Sequence, residues 1–104
     1  MKAILVLTTV PDEKAAKSLA QRLVKMRAAA CVTITKDVTS FYRWKGKLEK
    51  AKEFFMLIKT AAKNFAEVKR IIESSHPYEV PEIISVPIVG GSSRYLTWLF
   101  QSLR

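Results

Sequence analysis

Two β-prone segments joined by a tight turn set the strongest limit on what this chain can fold into. Residues 31–42, Cys-Val-Thr-Ile-Thr-Lys-Asp-Val-Thr-Ser-Phe-Tyr, are dense in the β-branched and aromatic side chains that suit a pleated surface. Trp44-Lys45-Gly46-Lys47 reads as the turn, with Gly46 able to take positive φ. The return arm runs from about Leu48 to Lys59 and ends in the apolar run Phe54-Phe55-Met56-Leu57-Ile58. Arms of this length exceed the usual strand of about five or six residues. A chain of 104 residues has room for one domain. One such domain cannot cover both faces of so long a hairpin, so the hairpin asks for neighbours.

The flanking segments supply the rest of the fold. Residues 3–8 form a short run rich in Ile, Leu and Val, as in a strand buried on both faces. Pro11-Asp12-Glu13 signals a helix start, and Ala15, Ala16, Leu19, Ala20, Leu23 and Met26 recur at helical steps as far as Arg27. Asn64 with Glu67 reads as a capping box for a second helix, whose inward stripe is Phe65, Val68, Ile71, Ile72 and Ser75. His76-Pro77 closes it. Glu82 to Val89 is a further strand, and Pro81 and Pro87 confine it to an edge or to short length. Gly90-Gly91-Ser92-Ser93 breaks the chain before a helix from Arg94 to Leu103, with Tyr95, Leu96, Leu99 and Leu103 on one side. Strand, helix, strand, strand, helix, strand is the order of two βαβ units joined by a hairpin. The expected architecture is an α+β, ferredoxin-like βαββαβ sandwich over residues 1–104, with a long β-hairpin and an extra C-terminal helix.

Composition excludes several classes of function. A single Cys and a single His rule out a disulfide framework and a zinc finger, and a lone thiol fits a reducing, cytoplasmic compartment. The longest wholly apolar runs fall far short of the roughly 20 residues that a membrane span needs. No nucleophile sits with a visible base and orienter, and no glycine-rich phosphate loop is present, so no enzymatic activity is expected. Eighteen Lys and Arg against nine Asp and Glu give a net charge of +9, which favours an anionic partner. Yet the continuously apolar residues 54–58 lack the glycine-aromatic pattern of an RNA-recognition sheet. Nucleic acid is therefore not expected as a partner, and the basic residues read as solvated faces.

The segment His76-Pro77-Tyr78-Glu79-Val80-Pro81-Glu82-Ile83 carries the most chemistry. Its prolines stiffen a turn from which an imidazole, a phenol and two carboxylates emerge. Imidazole and carboxylate both bind divalent ions. Equally, a His at a helix end hydrogen-bonds the last carbonyls. Both readings stand on the residues alone.

Taken with Thr8-Thr9-Val10-Pro11-Asp12, Ala29-Ala30-Cys31-Val32, Ser40-Phe41-Tyr42-Arg43-Trp44-Lys45-Gly46-Lys47-Leu48-Glu49, Ile58-Lys59-Thr60 and Gly90-Gly91 followed by Tyr95-Leu96-x-Trp98-Leu99, this segment resembles the CutA family of divalent-cation-tolerance proteins. The matching stretches span nearly the whole chain in order. The resemblance implies a homotrimer built by strand pairing between subunits, similar to the PII signalling proteins, that binds copper or a similar divalent ion without a required cofactor. It nominates Cys31 and His76 as metal ligands, with Glu79 and Glu82 as oxygen donors. A thiolate with an imidazole leans towards copper or zinc, whereas a free Cys is also commonly a small buried hydrophobe. Tyr42, Trp44, Glu49, Tyr78 and Trp98 are expected to line the crevice between subunits. Lys59 is expected near a strand end, either paired with Glu82 or holding an anion. The alternative function is a PII-like regulatory trimer that takes a small anion or a partner protein in those crevices.

Overall fold

In the computed structural model, which describes residues 1–104, the elements are β1 (Ala3–Val10), α1 (Glu13–Lys25), β2 (Cys31–Trp44), β3 (Lys47–Ala61), a single 3-10 turn (Ala62–Asn64), α2 (Phe65–Ser75), β4 (Ile84–Pro87) and α3 (Ser93–Gln101). The strands form one antiparallel sheet in the order β2-β3-β1-β4. This is the expected ferredoxin-like α+β architecture with its added C-terminal helix.

Side chains alternate across the sheet, and the two faces have different fates. Even-numbered residues of β1 and β3, among them Val6, Val10, Met56 and Ile58, join Ala16, Leu19 and Leu23 of α1 and Val68, Ile71 and Ile72 of α2 in one buried cluster. Both helices therefore cover that face, and each large side chain sealed there stabilises the fold by about 1.5–3 kcal/mol. The odd-numbered side, with Leu5, Leu7, Phe55 and Leu57, is only half-buried. The apolar run 54–58 is thus split between the core and an open face, because the strand period sends alternate residues to opposite sides. A second small cluster of Ala30, Ala61, Leu99 and Leu103 seats α3 on the end of the sheet. Leu99 and Leu103 face inward as expected, but Tyr95 is exposed.

The helix starts divide. Asp12 caps α1, its Oδ1 accepting from the Ala15 N–H at 2.8 Å. Asn64 does not cap α2: its backbone is already helical and its side chain makes no capping bond. The 3-10 turn runs directly into the helix, so no extended residue is left to bend back. Asn64 Nδ2 donates instead to the Arg104 carbonyl, and Glu67 pairs with Arg70 and Arg104.

β1 pairs with β3 only between Phe54 and Ala61, so the rest of the β2–β3 hairpin projects as a two-stranded ribbon. It accounts for the long dimension of 45 × 25 × 23 Å. Its turn carries Lys45 and Gly46 at φ of 51° and 79°, the left-handed pair that matches strand twist in a two-residue hairpin. A bulge between Thr35 and Val38, with Asp37 at φ 62°, marks the root of the ribbon. β4 is shorter than the sequence implies, since only Ile84–Pro87 pair with β1, and it forms an edge as expected.

Candidate functional site

One group of polar side chains gathers where β1 runs past the start of β4. β4 pairs only with Ile4–Leu7, so Thr9 has β3 on one side and no strand on the other. His76, in the first residue beyond α2, fills that gap: its Nε2 lies 2.7 Å from the Thr9 carbonyl. The Tyr78 backbone N–H donates to His76 Nδ1 at 3.1 Å. Nδ1 is then the acceptor and Nε2–H the donor, which defines the neutral tautomer. The imidazole thus holds a strand carbonyl rather than the last carbonyls of its own helix. A metal ion on this imidazole would take the place of its bond to the Thr9 carbonyl or to the Tyr78 N–H.

Tyr78 packs its ring 4.8 Å from that imidazole and donates its hydroxyl to Glu53 Oε2 at 2.7 Å. Glu53 is 5% exposed, a carboxylate buried at the root of the ribbon. Burial, then the hydrogen bond to Glu53, then the charge of Glu53 push the Tyr78 phenol well above its ordinary value. The contact locks the 76–83 loop to β3, two elements far apart in sequence.

A second group lies on the open sheet face at the far end. Cys31 and Lys59 are direct partners across the β2–β3 ladder. Cys31 is half-buried, with Sγ 4.0 Å from Thr33 Oγ1, rather than sealed in the core. Lys59 forms no ion pair with Glu82; its ammonium lies 5.9 Å from the centre of the Tyr95 ring, which in turn packs 5.4 Å from Trp98. The cation is held by an aromatic face, because Tyr95 on α3 is closer to hand than the 76–83 loop.

The two groups are separate. Lys59 pairs with Leu5, four residues along β1 from Thr9, so Cys31 and His76 are on the order of 13 Å apart along the strands. Glu79 and Glu82 are exposed on the loop, and no three metal-ligating side chains of one chain come together. Tyr42, Trp44 and Glu49 lie out on the ribbon, where Tyr42 and Glu49 are ladder partners. Glu53 and Tyr95 were not anticipated as site residues. A lone carboxylate abutting the apolar run 54–58 was the available signal for Glu53, and a Tyr one turn before Trp98 was the signal for Tyr95.

Residues 4–102 match the family model described as CutA1 divalent ion tolerance protein. A divalent-cation tolerance protein CutA from Thermus thermophilus is 45% identical over 90% of this chain and 91% of its own length. Its counterpart from Pectobacterium atrosepticum is 43% identical over 98% and 93%. The crystal structure of CutA1 from Oryza sativa superposes with a TM-score of 0.97 at 38% identity, covering 100% of this chain and 95% of that one.

Proposed function

The chain belongs to the CutA1 divalent ion tolerance family, and from that premise we propose that it acts in the cytoplasm as a homotrimer that binds copper or a similar divalent ion in the response to metal load. The observation that carries the assembly is the open side of the sheet: Leu5, Leu7, Phe55 and Leu57 are half-buried while Ile84 and Val86 on the β4 edge are 50% and 41% exposed. An unpaired edge beside an apolar face is the kind of surface that a second copy covers. The donors Cys31, His76, Glu79 and Glu82 do not converge within one chain. In this reading, metal is held by donors from different subunits, with Cys31 the soft ligand on the face that the assembly would close.

Light scattering tests the assembly: a mass near three times 11.8 kDa supports it and a clean monomer overturns it. Calorimetry with Cu(II) tests the ligands. Loss of binding in Cys31→Ala/His76→Ala supports them, and unchanged binding overturns them.

A second reading, a PII-like trimer that takes a small anion, is favoured by Lys59, whose ammonium faces an aromatic ring and no carboxylate. Phosphate or a nucleotide should then raise the melting temperature of the parent protein and not of Lys59→Met.

A further inference from the structure

Glu53 is the one charged side chain that the fold buries. A carboxylate has about four acceptor sites, and Tyr78 fills one of them, on Oε2. No cation of the same chain pairs with it: the ion pairs are Lys17–Glu13, Arg70–Glu67 and Arg104–Glu67. A buried carboxylate with a single neutral donor is costly unless a positive group completes it. On β3 the side of the sheet that Glu53 faces is odd-numbered, and its cations are Lys47 and Lys59; Lys50 and Lys52 point to the helix side. Arg43 lies opposite Leu48, also on the helix side, and Lys36 is in the bulge. Lys45, in the turn, already sits 5.8 Å from the centre of the Trp44 ring. Within one chain Lys47 is six residues from Glu53, roughly 20 Å along the strand, and cannot reach it.

We propose that Lys47 of the partner subunit enters beside Glu53 and completes the Glu53–Tyr78 pair; the contact rests on the trimer reading and adds a charged lock to it. A ring of three copies joins two different patches, and the sheet has two different edges, β2 and β4. Rotation about an axis along the strands keeps strand direction, so β2 of one copy runs antiparallel to β4 of the next. The late residues of that β2, and the turn after them, then pass Ile84 and reach the 76–83 loop and Glu53. Register selects the lysine. Glu53 is four ladder steps beyond Ile84, counted through Leu7 and Leu57, and Lys47 is level with Trp44. Setting Trp44 level with the neighbour's Glu53 puts Ser40 opposite Ile84, and all four residues of β4 gain partners on β2. Ser40 and Ile84 both face the open side, as ladder partners must. Bringing Lys59 to the same level would need residue 27 opposite Ile84, which lies outside β2.

The test is a double-mutant cycle on the intact protein, with trimer and monomer separated by sedimentation across a dilution series. Lys47→Met and Glu53→Gln should each weaken assembly about tenfold or more, and the double variant should be no weaker than the worse single one. Glu53→Gln keeps an acceptor for the Tyr78 hydroxyl, and circular dichroism checks that each variant folds. Should it not fold, Lys47 still decides, because Lys47→Arg must keep the trimer that Lys47→Met loses. In a chain of net charge +9, removing a cation by itself eases repulsion between copies, so a weaker trimer is not a net-charge effect. Lys50→Met, on the helix side, should leave assembly unchanged or stronger. Additive losses in the cycle, or a trimer indifferent to Lys47→Met, overturn the proposal and leave the trimer standing. A parent protein that is monomeric throughout overturns the trimer reading and this contact with it.

Discussion

Thr8 and Thr60 sit on the same buried side of the sheet, yet the fold treats them differently. Thr60 Oγ1 donates to the Ala28 carbonyl at 2.7 Å, while Thr8 Oγ1 is buried with no partner. Valine has nearly the shape of threonine without the hydroxyl. Thr60→Val should therefore lower stability by about 1–3 kcal/mol, and Thr8→Val should leave it unchanged or raise it. Urea unfolding midpoints check both, and equal losses would contradict the hydrogen-bond assignment. Tyr78 makes a sharper prediction because its proton is held at Glu53. Its folded pKa is raised, so the folded state keeps the proton where the unfolded chain, near the ordinary phenol value of about 10, releases it. The stabilisation is complete below that value and is lost as pH rises towards the folded pKa. Of the three tyrosines, one should titrate late in an ultraviolet absorbance titration, and Tyr78→Phe should remove that late step. The stability gap between parent and variant should also narrow as pH climbs beyond the phenol range.

Among the elements, α1 and α3 depend on each other through one side chain. Arg27, just beyond α1, takes φ 57° and so bears the left-handed turn that ends the helix. Its guanidinium donates from Nη2 to the Gln101 carbonyl at 2.8 Å and from Nε to the Ser102 carbonyl at 3.1 Å. A cation there meets the negative end of α3. The Arg27 carbonyl accepts from the Arg104 N–H in return, closing the clasp. Arg27→Met keeps the strained backbone and removes the fork, and should cost about 1–2 kcal/mol given the exposure of the pair. Hydrogen exchange should quicken across Ser93–Gln101 and leave α2 unaffected; uniform acceleration would mean that α3 does not detach alone. The capping residues divide in the same way. Asp12 was readable as a helix start from Pro11-Asp12-Glu13. Asn64 was misread because a capping box is a local pattern, and nothing local announces that a 3-10 turn precedes α2 or that the C-terminal carbonyl claims the amide.

At the scale of the whole molecule, the ribbon and the sandwich are separable. No residue of either buried cluster lies between 39 and 52. Joining Val38 to Glu53 through an Asn-Gly turn should leave a folded sandwich with its helix content intact, because the core and the Tyr78–Glu53 contact remain. If the ribbon contributes to assembly, the shortened chain should sediment as a smaller species than the parent. Trimers of unchanged stability would place the assembly contacts wholly on the sandwich.

The amino-acid pattern determined the order of the elements, the inward stripe of α1, that of α2 apart from Ser75, which is exposed at the helix end, and the length of the hairpin, since each is written in a periodicity that a few neighbouring residues carry. It also determined which family the chain resembles, through His76-Pro77-Tyr78 and the Ala29-Ala30-Cys31 block. Tertiary structure alone decided what those residues touch. Cys31 faces the open side of the sheet beside Lys59, His76 serves Thr9, and the buried Glu53 holds Tyr78, because register and the short reach of β4 set which distant groups meet. The same cause decided the two sides of the ribbon. Every second residue changes face, so only the pairing of β3 beneath the helices could assign Lys47 and Glu53 to the open side and Lys50 and Lys52 to the helix side.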